Sequence, residues 1–386
     1  MRRTATLVLL VTSFGITNSC GDLEETAFPS QVARAVRPKT VTEPLLDFSG
    51  VDTFWEIYGT LKEDREPQVQ QWDRLFATPG YAALEEREHK RNVLSEAFRL
   101  AYMPSKQEQV IAVMKQDGWL AYVLPHLQKI PMRRSELTAF QAKLESDDWL
   151  IRAARQTQKF LPHGLIDQYP LPPVSFVFFA PDGRGYPRII VADLLDVLAY
   201  PAIEKLFAHE LFHYYRQFVE KAYQKPTETD GPLINVITNI EEEGIADQLD
   251  KSDLPRLTER ELQRMFPDPE RRGFCEDYRR SYAESNRWLQ SVEKVFEEIA
   301  QEPAAAKGKG RLLHEQLPID GRPLGAFMAH TIMRELGENQ LVRVVGDPLG
   351  FWIMYNKAAR QSRDKSYPLS SRAMSVIERL RLTYNR

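Results

Sequence analysis

The sequence predicts a mainly helical α+β fold with one small β-sheet. Three observations carry this. Apolar residues recur at three- and four-residue spacing along most of the chain, with charges between them. A single stretch, from Pro162 to Asp193, breaks that period with runs of β-formers. The composition, 43% hydrophobic and 27% charged over 386 residues, is ordinary for a globular protein with ample core material.

Residues 1–20 open with Arg2 and Arg3, continue through an apolar run from Ala5 to Ile16, and end in small and polar residues before Cys20. This is the layout of a secretory signal peptide, and the run is too short to span a membrane as a mature helix. It resembles bacterial lipoprotein signals, in which the cysteine at the cleavage site is lipidated. The resemblance implies an exported, periplasmic or cell-surface protein anchored to a membrane through Cys20. Ordinary cleavage nearby would instead leave a soluble secreted protein. Residues 21–50 mix Glu, Thr, Pro and Ser without period and read as a flexible tether.

Residues 51–160 form a predicted helical region, begun by Phe54, Trp55, Ile57, Tyr58 and Leu61, with its aromatics as core. Residues 161–255 hold the sheet and the motifs that follow it. Val174–Phe179 and Arg188–Val191 read as strands, and Pro181–Gly185 as the turn between them. Residues 256–386 read as a helical lobe, interrupted at Gln301–Arg311 by an expected exposed loop containing Pro303 and Lys-Gly-Lys-Gly.

Chemistry concentrates at His209-Glu210-Leu211-Phe212-His213, an H-E-x-x-H pattern. On a helix the two histidines share a face and converge on one point, with Glu210 beside them. Catalytic zinc takes three protein ligands and keeps a position open for water, so a third ligand is expected downstream. Asn239–Asp247 carries three consecutive acids, Glu241, Glu242 and Glu243. Helical spacing of about 100° per residue lets only one of them face a given point. One or both of Glu241 and Glu242 are expected on a solvated face.

With Glu243-Gly244-Ile245-Ala246-Asp247, the sequence resembles the gluzincin metallopeptidases. The resemblance implies a zincin-like core holding one Zn2+ on His209, His213 and Glu243, with Glu210 as general base. It makes Asp247 the carboxylate that orients a ligand histidine, a role that fixes the tautomer and raises ligand basicity. It implies a peptide or protein substrate, and an oxyanion donor for which His330, Tyr355, Tyr215 and Tyr214 are candidates. More broadly, Gln71–Phe76, Pro79-Gly80-Tyr81, Gly325–His330 and Asp347-Pro348 resemble an uncharacterised group of bacterial zinc-dependent proteases. The strand nearest the motif, Arg188–Val191, is a candidate to pair with an extended peptide.

Other signals are weaker. Lys+Arg is 51 and Asp+Glu 54, so no basic excess points to nucleic acid. Cys275 has no paired histidine and reads as a packed thiol. Two readings rival a peptidase: a metal hydrolase acting on a non-peptide bond, and a non-catalytic surface lipoprotein with a structural or vestigial zinc site. Retention of Glu210 favours catalysis, because a structural zinc takes four protein ligands and has no use for it.

Overall fold

A four-stranded sheet organises the first half of the chain. The computed structural model describes residues 45–116, 118–221, 225–363 and 366–384. The signal-like segment and Cys20 lie outside them. The chain divides into two units; the described residues of one are 45–158 and 164–215, and of the other 159–163 and 216–384. Both are mainly helical, and the sheet makes the fold α+β.

In the first unit the strands are β1 (Leu46–Asp47), β2 (Val174–Val177), β3 (Gly183–Gly185) and β4 (Ile190–Asp193). Their order is β1-β2-β4-β3, with β3 antiparallel to β4 and the other pairings parallel. β2 and β4 are buried at every position, as parallel strands covered on both faces must be. Leu46 and Asp47 therefore belong to the sheet rather than to the tether with which their composition groups them.

Helices α1 (Ser49–Leu61) and α2 (Pro79–Arg87) lie on one face. They approach closely because Gly50 and Gly80 have no side chain; a Cβ on either would meet Val177 Cγ1 at 2.9 and 2.6 Å. The other face belongs to α3 (Trp149–Thr157) and α4 (Ile203–Arg216). There Phe207 packs against Trp149 at 4.6 Å and Phe176 at 6.0 Å between ring centroids. The expected aromatic core is present: Phe54 meets the rings of Phe98, Tyr102 and Phe178 edge-on.

Asp193 closes β4 and ties the sheet to the helices around it. It is fully buried. Its carboxylate accepts from the amides of Phe179 (2.8 Å) and Asp196 (3.0 Å) and sits 2.9 Å from His126 Nε2.

In the second unit α5 (Gly231–Asp250) is central. Around it stand α6 (Pro269–Ala283), α7 (Ser285–Gln301), α8 (Ala306–Gln316), α9 (Arg322–Leu336), α10 (Pro348–Gln361) and α11 (Ser371–Tyr384). α9 runs in the same direction as α5 and crosses it at Gly244 and Gly325. A Cβ on Gly325 would lie 2.0 Å from the Ile240 carbonyl oxygen, and one on Gly244 would lie 2.2 Å from the Gly325 carbonyl carbon. At the start of α5, Asp230 accepts from Arg379 (3.0 and 3.1 Å) and from Tyr384 Oη (2.8 Å), both on α11.

Two sequence expectations change here. The segment 301–311 is not a loop: Pro303 starts a short 3₁₀ turn and α8 follows. Proline is suited to a first turn, and the alanines that follow favour helix. Gly310 is there because the helix backbone lies against α5; a Cβ would meet Leu233 N at 2.5 Å. Likewise Gly183–Gly185 is a strand, and the reversal falls after it.

Gly325→Ala should destabilise the protein by at least ~3 kcal/mol, because the added carbon meets backbone that has nowhere to move. Gly308→Ala, in the open interior of α8, should be neutral or stabilising by ~0.5–1 kcal/mol. Urea titration of both variants checks the contrast. A second expectation concerns pH. Burial pulls the His126 imidazole down, but the charge and hydrogen bond of Asp193 outweigh it and hold it above its ordinary value. That stabilisation is present in full below the unfolded value of about 6.5 and is lost as pH rises through the folded one. Asp193→Asn should flatten this part of the stability–pH profile, as read by thermal melting across pH 5–8.

Candidate metal centre

α4 carries the H-E-x-x-H residues, and its neighbours fix it firmly. Thr157 Oγ1 donates to the Ala208 carbonyl at 3.0 Å, and Arg152 pairs with Glu204 at 2.8 Å. One turn apart, His209 and His213 bring their Nε2 atoms to 3.0 Å. Two ligands of a tetrahedral zinc, each at about 2.0–2.1 Å, stand roughly 3.3 Å apart, so the pair fits one such ion. His209 and Glu210 are buried and His213 is partly so.

β3 lies directly on this part of α4. A Cβ on Gly185 would sit 2.8 Å from the Glu210 carbonyl oxygen and 3.0 Å from His213 Cβ; one on Gly183 would sit 3.1 Å from the Glu210 carboxyl. The Gly-x-Gly read as a turn is therefore a contact surface for the helix that carries the H-E-x-x-H residues. Its spacing just before a strand was the available signal. Arg184 between the glycines pairs with Asp182 and Glu88, and Tyr186 Oη donates to Glu88 at 2.8 Å. β3 pairs only with β4 among the described residues, whereas β4 is paired on both sides. β4 therefore has no free edge for the extended peptide that the sequence suggested at Arg188–Val191, and β3 is an edge strand of the sheet.

The tyrosines next to the motif point elsewhere. Tyr214 Oη reaches toward the Pro170 carbonyl (3.5 Å) and Tyr215 Oη toward that of Tyr169 (3.4 Å). Burial pushes the Tyr214 phenol up to about 12 and raises that of Tyr215 further, so both stay protonated.

In the other unit, α5 carries the acidic run, and its three carboxylates meet different surroundings. Glu241 is fully buried, paired with Arg216 and accepting from the Gly346 amide at 3.0 Å. Of the two acids expected to include a solvated one, Glu241 is therefore not it, because its side of the helix packs against a guanidinium. Glu242 remains 31% exposed and lies 3.6 Å from the same arginine. Glu243 lies 3.1 Å from Arg322 Nε. Arg322 opens α9 just after Ile319, Asp320 and Gly321, all of positive φ. That strained turn is held by Asn239, whose side-chain amide donates to the Asp320 carbonyl at 2.7 Å. Asp247, one turn beyond Glu243, is fully buried and accepts from Tyr278 Oη and Lys251 Nζ, each at 2.8 Å.

His330 lies on α9, half-buried, beside Arg334. Tyr355 is buried, and its hydroxyl donates to the Tyr367 carbonyl at 2.8 Å. Cys275 is buried, and burial pushes its thiol up to about 11, as fits a packed thiol.

Comparison with protein families matches residues 72–364 to the family described as "Putative zinc dependent peptidase (DUF5700)". The chain belongs to that family. No curated protein and no solved structure matches it. The family match takes in the H-E-x-x-H helix, the acidic run and all of α9, and it leaves out β1, α1 and α11. Two convergent imidazoles beside a carboxylate are a donor set that zinc accepts, so this geometry agrees with a zinc-dependent family.

Gly185→Ala should destabilise the protein by about 1–3 kcal/mol, since its methyl meets α4 backbone. Gly183→Ala meets only the mobile end of Glu210, so its melting temperature should stay near wild type while the carboxyl shifts. Thermal melting of the two variants tests the difference.

Proposed function

We propose that the protein is an exported, lipid-anchored zinc metallopeptidase of gluzincin type. His209, His213 and Glu243 hold one zinc, Glu210 is the general base, and Asp247 orients the ligand set. The observation that carries this reading is the 3.0 Å approach of the two imidazole nitrogens with Glu210 beside them under β3. Family membership supports the peptide bond as the target. The assignment of Glu243 rests on its gluzincin-like setting, and Glu241 is already engaged by Arg216 and the Gly346 amide. Export and anchoring through Cys20 rest on the sequence of residues 1–20. No helix among the described residues is long and apolar enough to cross a membrane.

The residues divide the work. When bound, zinc lowers the pKa of a water toward ~7 and polarises a carbonyl. Glu210 takes the proton released by the attacking water and delivers it to the departing amine nitrogen. β3 offers its open edge to the substrate backbone, a mode that holds an extended peptide by main-chain hydrogen bonds. Its glycines keep that strand against Glu210 and His213.

Metal analysis and peptide hydrolysis on the full chain test this reading. Wild type and Glu210→Gln should each bind one zinc, with hydrolysis falling roughly 10²–10⁴-fold in Glu210→Gln. Glu243→Ala should lose the metal. Full zinc retention by Glu243→Ala would show that the third ligand is elsewhere, and a wild type without zinc would sink the proposal.

A further inference from the structure

A cavity of about 230 Å³ opens in the second unit, where the end of α5 meets α6 and α9. Lys251, Arg256 and Arg334 stand on its wall with His330, Tyr278 and Tyr282, and no aspartate or glutamate lines it. The charges differ in how they are balanced. Lys251 holds Asp247 and Asp250 just behind the wall, at 2.8 and 2.6 Å. Arg334 reaches Glu335 and the Ser362 hydroxyl. Arg256 is exposed at the end of a short 3₁₀ turn.

The two guanidiniums converge on the same neighbours. His330 is held below its ordinary value by burial first, then by Arg334 and Arg256. Burial raises the Tyr282 phenol, and the same two arginines oppose that rise. The cationic groups on the wall are therefore Lys251 and the two guanidiniums. The Tyr282 ring packs edge-on against Phe327 at 5.7 Å, which gives the cavity an apolar side. Its volume falls below the ~300–1,000 Å³ of pockets that enclose a whole small molecule, so it suits one group of a larger ligand.

The cavity shares a helix with Glu243. Lys251 follows Glu243 by two turns of α5, about 12 Å along the axis. Tyr278 and Lys251, which line the cavity, are also the two residues that hold Asp247.

We propose that this cavity is an anion subsite that takes a carboxylate of the peptide substrate. The inference rests on the peptidase reading for its choice of ligand. Carboxylate has two sources in a peptide, the free C-terminus and the side chains of Asp and Glu, and both offer Arg256 and Arg334 the same two-oxygen acceptor.

The test uses the full chain carrying Glu210→Gln, so that bound peptide stays intact, and four fluorescein-labelled peptides read by anisotropy. Two share a neutral sequence and end in a carboxylate or a carboxamide; two are amidated and differ by Glu against Gln. The carboxylate-bearing member of at least one pair should bind roughly ten- to a hundredfold more tightly than its uncharged twin. The pair that discriminates identifies the source. Adding Arg256→Gln should remove most of the difference and Arg256→Lys should restore part of it, with the circular-dichroism spectrum unchanged in both. Equal binding of all four peptides, or discrimination that survives Arg256→Gln together with Arg334→Gln, overturns the subsite. Cleavage by wild type without discrimination overturns the subsite and leaves the peptidase; arginine-dependent discrimination without any cleavage leaves the subsite and overturns the peptidase.

Discussion

Backbone laid directly against backbone is the constraint on which both functional helices depend. At Gly183 and Gly185 a strand rests on α4 with no side chain between them, and at Gly244 and Gly325 two helices cross at similar closeness. Side chains at these positions would push each of these helices away from its support. Without a methyl to spare, the helices are placed by covalent geometry rather than by rotamers, which is the precision a metal-binding set demands. The polar anchors work around this frame. Asp193 gathers two amides and an imidazole at the end of β4, and Asp247 gathers a phenol and an ammonium beside Glu243.

Much of this was legible in the residues. The H-E-x-x-H spacing announces two imidazoles on one helix face, and they do converge. The β-rich run after Pro173 is a strand, and the aromatic stripe from Phe54 to Tyr58 packs as core. What escaped has physical causes. Glycine and proline punctuate turns by default, so Gly183–Gly185 read as a reversal, although close contact, not conformational freedom, is the reason for those residues. The same habit turned 301–311 into a loop, because a glycine that lets one helix touch another looks the same in sequence as one that breaks a helix. Strand order is a long-range property that local pattern does not encode, and so β4, not β3, drew the substrate-pairing expectation. Which of Glu241 and Glu242 meets solvent was left open, because a single sequence does not reveal that Arg216 meets Glu241.

Electrostatics separates residues that composition treats as equals. Glu241, Glu242 and Glu243 are adjacent and identical in chemistry, yet one is sealed against an arginine and a backbone amide, one is partly in solvent, and one faces Arg322. A buried pair of this kind adds little net stability compared with apolar packing, but it is intolerant of losing either member. It thereby fixes the rotation of α5 about its own axis, and with it the direction in which Glu243 points.

The bond between Asp230 and α11 has a consequence for how the molecule is made. Arg379 and Tyr384 are separated from Asp230 by 149 and 154 positions, and together they secure the start of the helix that bears Glu243. A chain emerging from the ribosome presents Asp230 long before its partners. Until they arrive, the entry to α5 lacks the bonds that Arg379 and Tyr384 supply. Such late, distant closure slows folding and prolongs exposure of unfinished surface. The order of synthesis thus leaves the start of the helix that bears Glu243 without these two partners until 149 to 154 further residues have been made.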